Sequence, residues 1–300
     1  MTDSFLKFLQ FEKRVSTHTV LAYQSDLEQF QSFLRDSCEG MTIMKADYVA
    51  IRRWMVSLVE SGMAARSVNR KIACLRSFYK FMTREGSIKK DPMTKIRVLK
   101  TKKNLPAFLK ESEMISLLDH NKREKKPELS AIENFVQTRD SLILEFFYCT
   151  GIRLSELIHL ELSKIDLGQQ TIKVLGKRNK ERVIPFPDEL AGLITGYLQI
   201  RDEVVPKKSD HFFVTHTGNR CYPMLIYRIV RQRLDQVTRS EKRSPHVLRH
   251  TYATHLLNKG AEINAVKDLL GHSSLAATQV YTHNSMEKLK KVFDQAHPKA

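Results

Sequence analysis

The residues with the clearest chemical potential lie near the end of the chain, in the segment SPHVLRHTYATHLLNKGAEINAVKDLLGHSSLAATQVY from Ser244 to Tyr281. His246 and Arg249 are three residues apart, so a helix places them on one face. His272 follows a glycine, and Tyr281 comes nine residues later. Arginine forks bind phosphate, histidine exchanges protons near neutral pH, and an activated tyrosine is a nucleophile. The pattern predicts helices whose ends aim these groups into a shared cleft.

A second candidate segment, CTGIRLSELIHLELSKID, runs from Cys149 to Asp166. Gly151 permits a sharp turn, and Arg153 then begins a new helical pattern, with Glu156 three residues further on. Taken alone, Arg153 is best interpreted as a structural arginine.

The next segment, Gln170 to Phe186, reads QTIKVLGKRNKERVIPF and predicts a β-hairpin with its turn over Gly176–Lys180. Lysines in hairpin turns, such as Lys177, are usually solvated.

Helical periodicity dominates the rest of the chain. In the first hundred residues it predicts amphipathic helices over Ser16–Leu34, Ala46–Ser61 and Ala65–Glu85. Further along, apolar or periodic stretches predict the helices Arg139–Tyr148, Asp188–Ile200, Pro223–Val237, Ile263–Leu270, Leu275–Val280 and a last one in the tail. The segment Asn121–Ser130, which lies between the helices of the first hundred residues and the helix Arg139–Tyr148, is polar and is predicted to be a loop. The sequence HFFVTHTGNRCY predicts a short strand and turn.

The charge balance is strongly basic, with a formal net charge of +17 and a pI near 9.7, which favours a polyanionic partner. Between Arg66 and Lys103 there are thirteen basic and two acidic residues. A solvated surface with a linker is the simpler interpretation, but so one-sided a charge favours phosphate contacts. The DNA-binding candidates in this segment are Arg66, Arg70, Lys71, Arg76, Lys80, Lys100, Lys102 and Lys103.

Compartment and metal content are also constrained by the sequence. No apolar run approaches the roughly 20 residues that span a bilayer, and the first residues lack a signal-peptide layout, so we expect a cytoplasmic protein without a membrane partner. The four cysteines are scattered and show no zinc spacing or disulfide framework, so no metal site is expected.

Considered together, these motifs resemble the tyrosine recombinase, or phage integrase, family. TGIRLSEL resembles the first catalytic motif of that family, HVLRH and LLGH with the following Tyr281 resemble its C-terminal motifs, and GKRNK matches the hairpin turn that carries its catalytic lysine. In that turn Arg178 replaces a second glycine of the family pattern. The final HPKA and the overall length most resemble the XerC/XerD type.

The resemblance implies a fold and a domain organisation. The expected fold class is mainly α with a small β-hairpin or sheet in the catalytic domain, arranged as a two-domain DNA clamp. A helical, SAM-like core-binding domain is expected over residues 1–96 and a basic linker over 97–107. The catalytic domain is then expected over 108–300, ending in a helix that contributes to assembly.

The resemblance also implies roles for individual residues. Arg153 and Arg249 bind the scissile phosphate, His272 donates to the same oxygens, and Glu156 supports Arg153. Tyr281 attacks and forms a 3′-phosphotyrosyl intermediate; Tyr252 is the next candidate nucleophile if an adduct persists in Tyr281→Phe. His246 is placed to accept the proton of the tyrosine or to assist the phosphate, and Lys177, with Lys180 as its rival, protonates the leaving 5′ oxygen. No cofactor or metal is required.

The expected partner is double-stranded DNA with a specific recombination site, bound by a tetramer on two duplexes. That tetramer contains four identical chains or includes a sibling recombinase, and a septal DNA translocase is a further expected partner. The expected process is resolution of chromosome or plasmid dimers; a mobile-element integrase is the nearer alternative. Two other classes are considered: a metal-dependent nuclease using His246 and His250 with His255 or His272, and a non-catalytic DNA-binding protein.

Overall fold

The structure is a computed structural model that describes residues 1–101, 107–123, 129–176, 181–206, 209–271 and 295–296. The chain divides into two compact units, Met1–Asn104 and Leu105–Ala300. Among the described residues, no helix is long and apolar enough to cross a membrane. The predicted fold class is confirmed, since the described chain is mainly helical with one small antiparallel sheet.

The first unit is built from amphipathic helices. In its described part these are α1 (Thr2–Lys7), continued by a π-helical turn (Phe8–Glu12), α2 (Thr17–Ser37), α3 (Tyr48–Glu60) and α4 (Ala65–Arg84). Ser16 caps α2 by accepting a hydrogen bond from the Thr19 amide, and Asp47 caps α3 in the same way through the Ala50 amide. Such caps satisfy amides that lack a partner in the first turn. The three helices predicted here are therefore confirmed to within a few residues.

The apolar faces of these helices meet in one core. Trp54, the only tryptophan in the chain, is buried there with its ring centroid 4.7 Å from that of Phe30. One acidic group is also buried in this unit. The Asp26 carboxylate accepts hydrogen bonds from Lys71 at 2.8 Å and from both terminal nitrogens of Arg70 at 2.5 and 2.9 Å. This carboxylate ties α2 to α4.

We expect Asp26→Ala to destabilise the first unit by about 3–5 kcal/mol, because it leaves the Lys71 ammonium buried without a charge partner. Urea unfolding followed by Trp54 fluorescence measures this unit selectively. Asp36→Ala, which removes an exposed carboxylate from the same helix, is the matched control and should change stability by less than about 0.5 kcal/mol. A similarly small effect of Asp26→Ala would show that the buried ion pair adds nothing to stability.

The segment that follows α4 is attached to that helix. The Asn69 side chain hydrogen-bonds both the amide and the carbonyl of Leu99, at 2.8 and 2.9 Å, and Arg76 donates to the Ile96 carbonyl. The first residues of the predicted linker 97–107 therefore pack on the first unit. Residues 102–106 lie outside the described part of the chain.

The second unit contains most of the helices and the sheet. Its described helices are α5 (Glu111–Arg123), α6 (Ala131–Thr150), α7 (Leu154–Ile158), α8 (Asp188–Val204), α9 (Pro223–Val237), α10 (Pro245–Asn258) and α11 (Ile263–Leu270). The strands β1 (Ile165–Asp166), β2 (Thr171–Leu175) and β3 (Glu181–Pro185) form an antiparallel sheet in the order β1-β2-β3. The predicted hairpin is confirmed by the pairing of Ile172 with Ile184 and of Val174 with Arg182.

Two predictions in this unit need correction. The helix predicted over Arg139–Tyr148 begins eight residues earlier, at Ala131, because Ser130 and Glu133 form a capping box that the polar composition concealed. The predicted strand and turn after α8 is reduced to isolated bridges, Glu161 with His211 and Val214 with Arg220. The predicted helix Leu275–Val280 lies outside the described residues, as does most of the tail.

Candidate active site

The turn between α6 and α7 begins the site. Gly151 ends α6 in the left-handed conformation, with φ of 58°, which glycine adopts without steric cost. A Cβ at this position would lie 2.4 Å from a ring carbon of Tyr252, so the ring packs directly on the glycine. This turn places Arg153 at the N-cap of α7, partly exposed to solvent.

Arg153 is held by one carboxylate and one backbone carbonyl. Its Nη1 donates to Glu156 Oε1 at 2.8 Å, and its own backbone amide donates to Glu156 Oε2 at 2.8 Å. Its Nη2 donates to the Gly271 carbonyl at 2.7 Å. The contact expected between Arg153 and Glu156 is therefore present, and it fixes the guanidinium beside the residue that precedes His272.

The third residue of this network is Arg182 on β3, which was not identified as a site residue from the sequence. Its Nη1 and Nη2 donate to the two oxygens of Glu156 at 2.6 and 2.7 Å, and its Nε donates to the Leu269 carbonyl at 3.0 Å. Arg182 occupies an inward position of β3, on the same face as Ile184 and opposite Val174. A charged residue at an inward position of an alternating strand is the sequence signal that would have found it.

Glu156 is ionised in this setting. Burial alone favours its neutral form, but the hydrogen bonds and charge of Arg182, followed by those of Arg153, outweigh burial and lower the pKa of the Glu156 carboxyl. One carboxylate therefore serves two guanidinium groups, so this cluster carries an excess positive charge.

Arg249 adds a further guanidinium from α10. It is buried, and it donates to the Gly151 carbonyl and, at 2.5 Å, to the Leu270 carbonyl. Burial, and then the positive charges of Arg153 and Arg182, lower the pKa of the Arg249 guanidinium to about 9. Three guanidinium groups with a single carboxylate form a cluster in which an anion would be strongly stabilised.

His246 lies near the start of α10, after Ser244 at the N-cap and Pro245 at the first helical position, where proline is favoured. Its side chain is exposed, one turn before the buried Arg249. The structure therefore brings Arg153, Glu156 and Arg249 together and keeps His246 on the same helix as Arg249. The candidates Lys177, Lys180, His272 and Tyr281 lie outside the described residues, and Gly271 is the last described residue before His272.

Two alternative assignments made from the sequence, Tyr252 as the nucleophile and His255 as a metal ligand, do not fit the structure. Tyr252, the second candidate nucleophile, is fully buried against Gly151, and burial raises the pKa of its phenol, so it is not placed to attack a bound phosphate. His255 is also buried; its Nε2 donates to the Leu109 carbonyl, and its Nδ1 is hydrogen-bonded to the Tyr148 hydroxyl at 3.1 Å. Within the described ranges, no group of three His, Cys, Asp or Glu side chains is arranged to hold a metal ion.

The DNA-binding candidates of the first unit mostly share one exposed face of α4. The side chains on this face are Arg66, Arg70, Arg76 and Lys80, and the exposed Lys100 follows the helix. Lys71 does not belong to it: its ammonium is buried against Asp26 and Gln29, so its predicted contact with DNA does not fit its position. The helical period could not reveal this, because the buried carboxylate comes from another helix. Lys102 and Lys103 lie outside the described residues.

We expect inorganic phosphate to stabilise the second unit, because an anion relieves the repulsion among Arg153, Arg182 and Arg249. At ten times its dissociation constant a ligand adds about 1.4 kcal/mol, which corresponds to a rise in Tm of about 3–6 °C. Thermal unfolding in phosphate and in chloride at equal ionic strength measures this rise. Arg249→Gln should lose it, and an equal rise in that variant would assign the effect to general salt exclusion.

Comparison with known proteins gives a consistent result across both units. Residues 2–86 match the model of the phage integrase N-terminal SAM-like domain, and residues 107–288 match that of the phage integrase family. The chain is 36% identical to tyrosine recombinase XerC of Chlorobaculum parvum, over 99% of this chain and 94% of that protein. It is 34% identical to tyrosine recombinase XerD of Staphylococcus aureus, over 99% of this chain and 98% of that protein.

Solved structures show the same fold. A XerH site-specific recombinase in a post-cleavage complex with palindromic difH substrate has a TM-score of 0.71 and 22% identity, covering 97% of this chain and 83% of that one. The Tn1549 transposon integrase in complex with transposon right end DNA has a TM-score of 0.72 and 18% identity, covering 97% of this chain and 98% of that one.

Proposed function

Because the chain belongs to the phage integrase family and is a site-specific tyrosine recombinase of the Xer type, we propose that it cleaves and rejoins DNA strands through a 3′-phosphotyrosyl intermediate. Tyr281 is the proposed nucleophile, and Arg153 and Arg249 bind the scissile phosphate. The curated relatives favour the Xer type over the mobile-element alternative.

The observation that carries this proposal is the guanidinium cluster at the end of α11. Arg153, Arg182 and Arg249 donate to the three consecutive backbone carbonyls that precede His272, and a single carboxylate, Glu156, pairs with the first two of them. Negative charge on a transferring phosphoryl group is spread over its non-bridging oxygens, and fixed cations stabilise it best when they need not reorganise. The cluster supplies such cations in a partly buried place.

The proposed steps balance without a cofactor. The Tyr281 oxygen attacks phosphorus, the bond from phosphorus to the 5′ oxygen breaks, and the strand's 3′ phosphate remains on the tyrosine. His246 accepts the phenol proton, Lys177 gives a proton to the leaving 5′ oxygen, and His272 donates a hydrogen bond to a non-bridging oxygen. Attack by a free 5′ hydroxyl on the phosphotyrosine reverses these transfers, so ligation requires no ATP.

The DNA itself is bound through charge on the first unit. The exposed face of α4 presents Arg66, Arg76 and Lys80, which suit phosphate neutralisation and salt-dependent affinity, whereas the Arg70 guanidinium on the same face is paired with Asp26. We infer that the partner is a duplex with a specific recombination site, held by a tetramer on two duplexes. Resolution of chromosome or plasmid dimers, with a septal DNA translocase as regulator, is the process that we propose for it.

The test is capture of the covalent intermediate. A duplex site selected by binding from a randomised library is nicked near its centre, so that the released fragment diffuses away and religation is prevented. In EDTA, the wild-type chain should give an SDS-resistant adduct that retains label placed on the strand segment ending in the 3′ phosphate. An adduct on the 5′ side would contradict the proposed polarity. Cleavage that requires added metal and leaves no adduct would support the nuclease alternative.

A further inference from the structure

We propose that Arg182 is a positioning residue for strand cleavage. It joins Glu156, the carboxylate partner of Arg153, to the backbone at the end of α11. We expect this link to fix the positions of Arg153, Arg249 and Gly271 relative to one another. This inference rests on the function proposed above and concerns a residue of the predicted hairpin for which the sequence motifs imply no role.

The contacts of Arg182 span three elements. From β3, its guanidinium holds both oxygens of Glu156 on α7, at 2.6 and 2.7 Å, and the Leu269 carbonyl on α11, at 3.0 Å. Both the Arg182 and the Glu156 side chains are almost completely buried, with relative exposures of 4% and 2%. A planar fork that meets a carboxylate in two parallel bonds allows little rotation, so the three elements are fixed relative to one another.

The end of α11 is the common anchor of the cluster. Its last carbonyls, on Leu269, Leu270 and Gly271, each accept a hydrogen bond from a different arginine: Arg182, Arg249 and Arg153, respectively. The final carbonyls of a helix lack partners within the helix and carry its partial negative charge. They therefore suit cationic donors, and a shift of this one turn would displace all three guanidinium groups together.

Close packing against Arg182 holds the same turn. Gly271 has φ of 60°, and a Cβ there would lie 3.0 Å from Arg182 Cδ and 3.2 Å from its Nη1. The backbone thus rests against the Arg182 side chain immediately before His272. Arg182 acts on this position through the Leu269 carbonyl, and its side chain leaves no free space for a Cβ at residue 271.

Arg182 also raises the net positive charge around Arg153, which is the charge that attracts a phosphate. If Glu156 paired with Arg153 alone, their charges would cancel and the attraction of Arg153 for a phosphate would be weakened. Because Arg182 shares the carboxylate, the three side chains carry a net charge of +1. Arg182 itself is buried and engaged through its Nε, Nη1 and Nη2, so it acts through its neighbours rather than by touching DNA.

The test compares two linkages at the scissile position of the nicked duplex: a normal phosphate and a neutral methylphosphonate. For Arg182→Lys on the normal phosphate, we expect single-turnover strand release to fall about 100-fold, as a displacement of about 1 Å can produce, while the Kd for the duplex stays within about twofold. The neutral linkage needs less cationic stabilisation. The rate deficit relative to wild type should therefore shrink to about tenfold or less.

The matched control is Arg139→Lys. Arg139 is also a buried arginine that bonds a carboxylate, that of Asp140, and a backbone carbonyl, that of Val214. It lies on α6, twelve residues before Gly151, which at a rise of 1.5 Å per residue is about 18 Å along the helix. Its replacement should destabilise the protein without changing the ratio of rates on the two linkages.

Gly271→Ala is the second variant and serves if Arg182→Lys does not fold. Its new methyl group would lie 3.0 Å from Arg182 Cδ and displace that side chain, so the variant should show the same linkage-dependent deficit. Wild-type rates for both variants would overturn the proposal, as would an equal loss on both linkages, which marks a purely structural role. Failure of the wild-type chain to release strand on either linkage would instead contradict the proposed function.

Discussion

Tyr281→Phe should abolish the covalent protein–DNA adduct and lower strand cleavage by about 10⁴-fold or more, because no other group in the proposed mechanism supplies the attacking oxygen. The substitution removes one oxygen and keeps the aromatic ring. We therefore expect DNA affinity to change by less than about twofold. Adduct yield on the nicked duplex, together with a binding titration at fixed salt, measures both effects.

A matched control for this substitution is Tyr252→Phe. Tyr252 is fully buried against Gly151, so removing its hydroxyl should lower stability slightly and leave adduct formation in place. An adduct that persisted in Tyr281→Phe and disappeared in Tyr252→Phe would move the nucleophile to the buried tyrosine. That result would also require a rearrangement of the turn at Gly151.

Arg249→Lys should lower single-turnover cleavage by about 10²–10³-fold even though it preserves the charge. The Arg249 guanidinium reaches the carbonyls of Gly151 and Leu270 at once, and this pair of contacts fixes its orientation toward a phosphate. A lysine ammonium lacks the planar fork, so it loses both the orientation and the paired donation. Losses of this size are typical when one donor to a developing oxyanion is removed.

The control for Arg249→Lys is Arg201→Lys. Arg201 is a buried arginine that also donates to two backbone carbonyls, of Ser209 at 2.6 Å and His211 at 3.2 Å, at a place outside the arginine cluster. Both variants should show comparable shifts in Tm, while only Arg249→Lys loses cleavage. Equal losses of cleavage in the two variants would assign the effect to general destabilisation of the second unit.

Local patterns in the sequence determined most of the elements. Helical apolar periods predicted α2, α3, α4, α9 and α11, and β-rich segments on either side of a turn predicted the β2–β3 hairpin, because these features depend on neighbours within a few positions. The start of α6 was missed because polar residues surround the capping box at Ser130. Residue types and their order also indicated the family and the phosphoryl-transfer chemistry before any contact was known.

Tertiary structure decided how the charged side chains are used. Lys71 and Arg182 each have basic neighbours in the sequence, as is typical of exposed segments. Each is nevertheless buried, because a carboxylate remote in sequence meets it in the fold: Asp26 pairs with Lys71, and Glu156 pairs with Arg182. A charge is buried at acceptable cost only where such a partner exists, and periodicity carries no information about partners on other elements. Only the fold shows that Arg153, Arg182 and Arg249 share the final carbonyls of α11.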